Sequence, residues 1–200
     1  MKHLLIIWIA LFHLQCIGQS KIVQDSVLKP GLYFSVEDVI YNRPANIQNL
    51  SFDKDSIRVA KNWKRTSMDI YHLNITREQA VRTEKLGGIF GFCDGKNIYL
   101  STTFKQSELG RSFFKAEIIC DFINFEGVST IYVNGRPDPF KQGGYVQNVI
   151  DTKKGQFFDF LTKRTFKKVI SEKPKLVESF KNQDDKSLHY RAYLQKYCEE

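Results

Sequence analysis

No two residues constrain this chain more than Asp94-Gly95, which stand between two runs, 87–93 and 96–101, that both suit a β-strand. An Asp-Gly pair supplies the two positive-φ positions of a type I′ turn, whose twist matches that of the strands it joins. A two-residue loop then sets the register. Cys93 lies opposite Lys96, Gly91 opposite Ile98 and Ile89 opposite Leu100 on one face, with Phe92 opposite Asn97 and Phe90 opposite Tyr99 on the other. Both faces carry apolar side chains, and a hairpin apolar on both sides belongs inside a packed structure. The expectation is a mainly antiparallel sheet with this hairpin at its centre.

Two hundred residues suit a single domain able to bury a core. Sixteen Phe and nine Tyr favour strands, and 42% hydrophobic against 26% charged residues is the balance of an ordered protein. Residues 1–18 stand apart and read as a signal peptide, because Lys2 and His3 precede an apolar run over 4–12. That run falls short of the roughly 20 residues a membrane-spanning helix needs. Cys16 and Gly18 place small residues for ordinary cleavage before Gln19. Lipoprotein processing at Cys16 fits less well, since His13-Leu14-Gln15 lacks a small residue just before the cysteine. The mature chain is therefore expected to be soluble, in the periplasm or secreted. It forms one domain over 19–200, β-rich over about 27–160 and helical over about 162–199.

Along the chain, a turn at 29–31 leads into a strand over 32–34, and Ser35 caps a short helix over 36–41 that Arg43-Pro44 ends. Residues 46–55 read as a loop, 56–61 and 68–73 as strands, and 76–85 as a short polar helix capped by Thr76. Asn74-Ile75-Thr76 also matches the N-glycosylation pattern, which matters only in a glycosylating pathway. After a loop over 105–111, residues 112–125 read as one long strand that Gly127 breaks. Asn134-Gly135 is a second hairpin turn, followed by an arm that Pro137 and Pro139 keep out of any inner strand position. Residues 145–151 and 156–160 form a last hairpin around Lys153-Lys154-Gly155. The period then becomes helical, with segments opened by Thr162, Ser171 and Asp185. Leu176, Val177 and Phe180 make one apolar stripe and Tyr190, Tyr193, Leu194 and Tyr197 another, for packing on the sheet or for an aromatic binding face. The fold class is α+β: an antiparallel sheet built from hairpins, then a C-terminal group of short helices.

Export implies an oxidising compartment, in which the mature chain keeps Cys93, Cys120 and Cys198. One disulfide at most can form. Cys93 with Cys120 is the expected pair, since both fall in strands; the alternative is three free thiols, small and buried or terminal.

The leader, Gly31-Leu-Tyr-Phe-Ser-Val-Glu-Asp-Val-Ile40, Gly91-Phe-Cys-Asp-Gly-Lys-Asn-Ile-Tyr99 and the tail around Lys173-Pro174-Lys175-Leu176 together resemble an uncharacterised family of exported proteins of Bacteroidota, a domain of unknown function. The resemblance spans most of the mature chain. It implies a Gram-negative envelope or secreted location, and carries no activity, catalytic residue or cofactor.

The chemical motifs of common enzymes do not fit. Gly87, Gly88 and Gly91 lack the third glycine of a dinucleotide fingerprint and run into a strand rather than a helix, so they relieve crowding where bulky neighbours cross the hairpin. Cys93 with His72 or His189 would be a thiol and base, but a thiol within paired sheet lacks the access a nucleophile needs. No cysteines stand at zinc-ligand spacing, so no catalytic, cofactor or metal residue is assigned. Charge is the one feature above background. The chain carries a formal +8, and over 153–175 eight Lys or Arg stand against Asp159 and Glu172. Lys163, Arg164, Lys167 and Lys168 recur at i, i+1, i+4 and i+5, on one side of a helix. That face suits an anionic envelope component, or else simply a solvated surface; nucleic acid does not fit an exported chain lacking a recognisable binding module. The expected function is an exported, non-enzymatic binding or envelope-associated module, with another envelope protein as a further partner class. The alternative is a hydrolase whose site only the fold assembles.

Overall fold

The computed structural model describes residues 22, 27–47, 50–61, 64–76, 88–101, 112–128, 132–133, 136–137, 144–183 and 189–199. The leader over 1–18, the helix expected after Thr76 and the loop over 105–111 lie outside them. In chain order the strands are β1 (Gly31–Tyr33), β2 (Ser51–Lys61), β3 (Lys64–Asn74), β4 (Gly91–Cys93), β5 (Ile98–Leu100), β6 (Ser112–Ile119), β7 (Phe122–Val128), β8 (Tyr132–Val133), β9 (Arg136–Pro137), β10 (Tyr145–Asp151) and β11 (Gln156–Phe158). The helices are α1 (Val36–Ile40), α2 (Lys163–Val169), α3 (Pro174–Lys181) and α4 (Tyr190–Glu199). Nine strands form one sheet in the order β1-β4-β5-β6-β7-β10-β11, with β3 joined to β6 and β2 to β3, while β8 and β9 pair separately. All its pairings are antiparallel, and the short helices follow the sheet in sequence, as expected. The sheet curls into a half-barrel.

The β4–β5 hairpin forms, with a different turn from the one expected. Cys93 faces Ile98, Phe92 faces Tyr99 and Gly91 faces Leu100, so the closing pair is Asp94 with Asn97 and the central residues are Gly95-Lys96. Gly95 holds φ +91 and is alone in the turn in having a positive φ, whereas a type I′ turn needs a positive φ at both central residues. The Asp94 side chain causes the shift. Its Oδ1 accepts from the backbone N–H groups of Lys96 at 2.7 Å and Asn97 at 2.6 Å, which holds Asp94 at the first corner of the turn. Its Oδ2 accepts from Tyr99 Oη at 3.0 Å. The slide moves each partner by two residues, so the faces of β4 and β5 are preserved. Upstream of β4 the alternation breaks: Ile89 packs with Phe92 and Tyr99, and Phe90 with Cys93, Ile98 and Leu100. Gly91 has the crowding role expected of it, since a Cβ there would lie 2.5 Å from Leu100 Cδ2 and 2.6 Å from the Tyr99 carbonyl.

The run 112–125 is two strands, not one. Ile119 faces Phe122, and Cys120-Asp121 makes a two-residue reversal in which Cys120 takes φ +39. Neither residue is a glycine, so composition hid the turn; tertiary contacts hold it instead. Thr152 donates to the Asp121 carbonyl through its backbone N–H at 2.9 Å and its hydroxyl at 2.8 Å. Cys120 is disulfide-bonded to Cys198, whereas Cys93 is a free, buried thiol between β1 and β5. The expected pair of Cys93 with Cys120, and equally the alternative of three free thiols, gives way to this bond. Gly127 does not end the strand but lies within β7 opposite Val146. The loop expected over 46–55 is strand from Ser51, because β2 pairs with β3 along its full length.

Thr162 caps α2 in a reciprocal capping box with Thr165. Ser171 does not open the next helix; its hydroxyl donates to the Lys168 carbonyl, and α3 begins at Pro174, whose missing N–H costs nothing at a first helical position. Asp185 lies outside the described residues. Both expected stripes pack against the sheet: Leu176, Phe180, Tyr190, Tyr193 and Leu194 join Phe166 and Val169 over Ile119, Phe122 and Val149. On the opposite side Cys93, Ile98, Leu100, Ile123 and Phe125 pack with Val39 and Ile40 of α1.

The two glycines of the hairpin separate conformational from steric cost. At Gly95 a side chain meets nothing within 4 Å, so Gly95→Val costs only the positive φ, on the order of 1–2 kcal/mol. Gly91→Ala costs about 1–3 kcal/mol through overpacking against the next strand. Chemical denaturation measures both, and a Gly95→Val midpoint equal to that of the wild type would contradict the turn described.

Candidate functional site

The basic face lies on α2. Phe166 and Val169 face the core, and the capping box sets where the helix begins. Lys163, Arg164 and Lys168 are consequently exposed and Lys167 is half-buried. Among the described residues none of the four has an acidic partner. The neighbouring cations of the same basic stretch differ. Glu172 lies 3.3 Å from Lys153 and 3.1 Å from Lys154, which also reaches Asp151 at 3.5 Å. The Lys173 ammonium sits 5.4 Å from the centre of the Tyr197 ring. The positive segment thus divides into a compensated half at the β10–β11 turn and an uncompensated half on α2.

Glu172 is the hub of the compensated half. The Tyr197 hydroxyl donates to it at 2.7 Å, and this bond, followed by those from Lys154 and Lys153, brings its carboxyl down to about 2. It therefore fastens the β10–β11 turn to α4.

A cavity of about 470 Å³ opens where β3, β6, β7 and α4 meet. Met68, Tyr71 and Phe114 give it apolar walls. At its rim Arg191 of α4 holds Glu117 of β6 through two bonds, Nε at 2.6 Å and Nη2 at 2.5 Å. Asp69 is paired with Lys54 at 2.7 Å, and Glu126 accepts from Tyr145 Oη at 2.6 Å. Burial, and next the bond to Glu126, raise the Tyr145 phenol. Lys115 also lines the cavity, exposed and without an acidic partner among the described residues. Asn124 lies opposite Glu117 on β7, 4% exposed, and its Oδ1 has no hydrogen-bond partner among the described residues. A second depression, of about 440 Å³, lies between α1 and the β10–β11 turn.

The thiol of Cys93 is fully buried, and that burial raises it, which removes it further from nucleophilic use. Among the described residues no three His, Cys, Asp or Glu side chains are grouped as metal ligands. Sequence reasoning found the α2 face but not the cavity, whose rim joins Glu117 to Arg191 across 74 positions. One signal for it was present: Asn124 is a lone amide within the apolar run Phe122-Ile123-Asn124-Phe125. No family model, curated protein or solved structure matches the chain.

The depressed Glu172 carboxyl predicts a pH dependence. Its pKa is lower in the folded chain, so its stabilisation is present above the ordinary 4.5 and disappears as pH falls toward about 2. The thermal midpoint of the wild type should exceed that of Glu172→Gln above pH 4.5, and the gap should close by about pH 2. A gap independent of pH would show that the charge of Glu172 contributes nothing.

Proposed function

We propose that this chain is an exported, non-enzymatic binding module of the cell envelope that meets an anionic partner through the outer face of α2. The observation that carries the reading is the uncompensated set Lys163, Arg164, Lys167 and Lys168 on a capped helix whose other side is anchored in the core. Cations fixed in one surface, with no acidic partner among the described residues, attract an anionic surface at long range. The leader pattern over 1–18 and the resemblance to exported Bacteroidota proteins support an envelope or secreted location. Among the described residues no helix is long and apolar enough to cross a membrane.

A binding role is favoured over hydrolysis by the direction of the ionisation shifts. Tyr99, Tyr145, Tyr190, Tyr197, Cys93, Lys54 and Arg191 move up, while Asp94 and Glu172 move down, so among the described residues each displaced group moves further from neutrality. General acid–base catalysis requires the reverse, a group brought toward the working pH.

The test is co-sedimentation with vesicles rich in anionic phospholipid. Binding should fall steeply as salt rises, because exposed charges further apart than about 8 Å are largely screened at physiological ionic strength. Replacing Lys163, Arg164, Lys167 and Lys168 with Gln should abolish binding and leave the melting temperature nearly unchanged. Equal binding by wild type and variant, or no binding by either, would overturn the proposal.

A further inference from the structure

Among the described residues three buried asparagines have different uses. Asn42 is fully buried, and its Oδ1 accepts from the Lys29 N–H at 3.3 Å and from Tyr33 Oη at 3.2 Å while its Nδ2 donates to the Val27 carbonyl at 3.1 Å. Asn148 is also fully buried, and joins the Phe160 N–H at 3.1 Å to the Phe125 carbonyl at 3.5 Å. Both hold backbone segments together. Asn124 holds none. Its Oδ1 is buried with no partner among the described residues; a buried acceptor left unpaired forfeits its hydration, a cost of about 1–3 kcal/mol that a fold gains nothing by bearing. Its position in the lining of the 470 Å³ cavity supplies the missing use.

The commitments of the other polar groups narrow what can enter. Asp69 is held by Lys54, Glu126 by Tyr145 and Glu117 by Arg191, so the cavity's carboxylates are already engaged. Among the described residues Lys115 remains uncommitted, and Arg191 uses Nε and Nη2 on Glu117, leaving Nη1 unengaged. A ligand matched to this set carries an amide, which can both donate to and accept from Asn124. It also carries a carboxylate for the two cations and an apolar group for Met68, Tyr71 and Phe114. The volume is within the roughly 300–1,000 Å³ of small-molecule sites.

We propose that the cavity binds an N-acylated α-amino acid with an apolar side chain, either free or as the C-terminal residue of a peptide, its amide against Asn124 and its carboxylate against Lys115 and Arg191. This goes beyond the α2 face and does not depend on it.

Calorimetric titration with N-acetyl-leucine and with N-acetyl-alanyl-leucine tests the two sources of that chemistry. At least one should bind saturably at millimolar concentration, and the tighter of the two identifies the source. N-acetyl-leucinamide, which lacks the carboxylate, should bind at least about tenfold more weakly, as should N-acetyl-leucine or the dipeptide to Asn124→Leu. Asn124→Leu should keep or raise the melting temperature, since an unpaired buried amide oxygen is removed and an apolar group of similar shape takes its place; a structural asparagine would lower it. Lys115→Gln, at an exposed position, should weaken binding independently of any folding defect. The variant with four Gln on α2 should bind these probes as the wild type does, which separates failure here from failure of the anionic-partner reading. Absence of saturable binding by both probes, or binding unchanged in Asn124→Leu and Lys115→Gln, would overturn the proposal.

Discussion

The reversal at Cys120-Asp121 is the constraint on which the rest of the molecule depends. β6 is the branch strand: Ser112 and Phe113 pair with β3, the next three residues with β5, and 116–119 with β7. Only because the chain turns back after Ile119 can β7 form, with β10 added to β7 and β11 to β10. The same turn anchors the helices, since Cys120 is bonded to Cys198 near the end of α4, 78 positions away. Closing a loop of that length stabilises by about 4.5 kcal/mol in the chain-entropy model. The Arg191–Glu117 pair binds the same helix to the same strand, but both side chains are about half exposed, and such a pair contributes about 0–1 kcal/mol. The covalent tie dominates.

Legibility followed chemistry that is local in sequence. Hairpins around Gly95 and Gly155, the Ser35 and Thr162 caps and the two aromatic stripes could be read because each is decided within a few residues. The turn at Cys120-Asp121 could not, since its φ of +39 is sustained by Thr152 and Cys198 rather than by a permissive residue. The register of β4–β5 departs from the sequence pattern for a subtler reason: Asp94 acts through its carboxylate on Lys96 and Asn97, which moves the corner by one residue without altering which side chains share a face. Ser51–Asp55 looked like loop because its residues are polar, and they are indeed mostly exposed, on the outermost strand of the β2–β3 hairpin.

The same division applies to function. A cationic helix face depends on spacing within one turn, so Lys163, Arg164, Lys167 and Lys168 could be named from sequence. The cavity depends on four elements meeting, and its polar lining is distinguishable from structural polarity only when hydrogen bonds are traced. Asn42 and Asn148 then prove to be fastenings, while Asn124 stands apart. The β10–β11 turn shows the converse, for Lys153 and Lys154 belong to the basic stretch in sequence yet serve Glu172 in the fold.

Disulfide mapping tests the central claim most directly. After alkylation of free thiols, proteolysis without reduction and mass spectrometry, the Cys120 and Cys198 peptides should appear as one cross-linked species. Cys93, being fully buried, should be alkylated only once the chain is unfolded. A Cys93–Cys120 cross-link, or three thiols all alkylated without reduction, would contradict the turn, the docking of α4 and the architecture built on them.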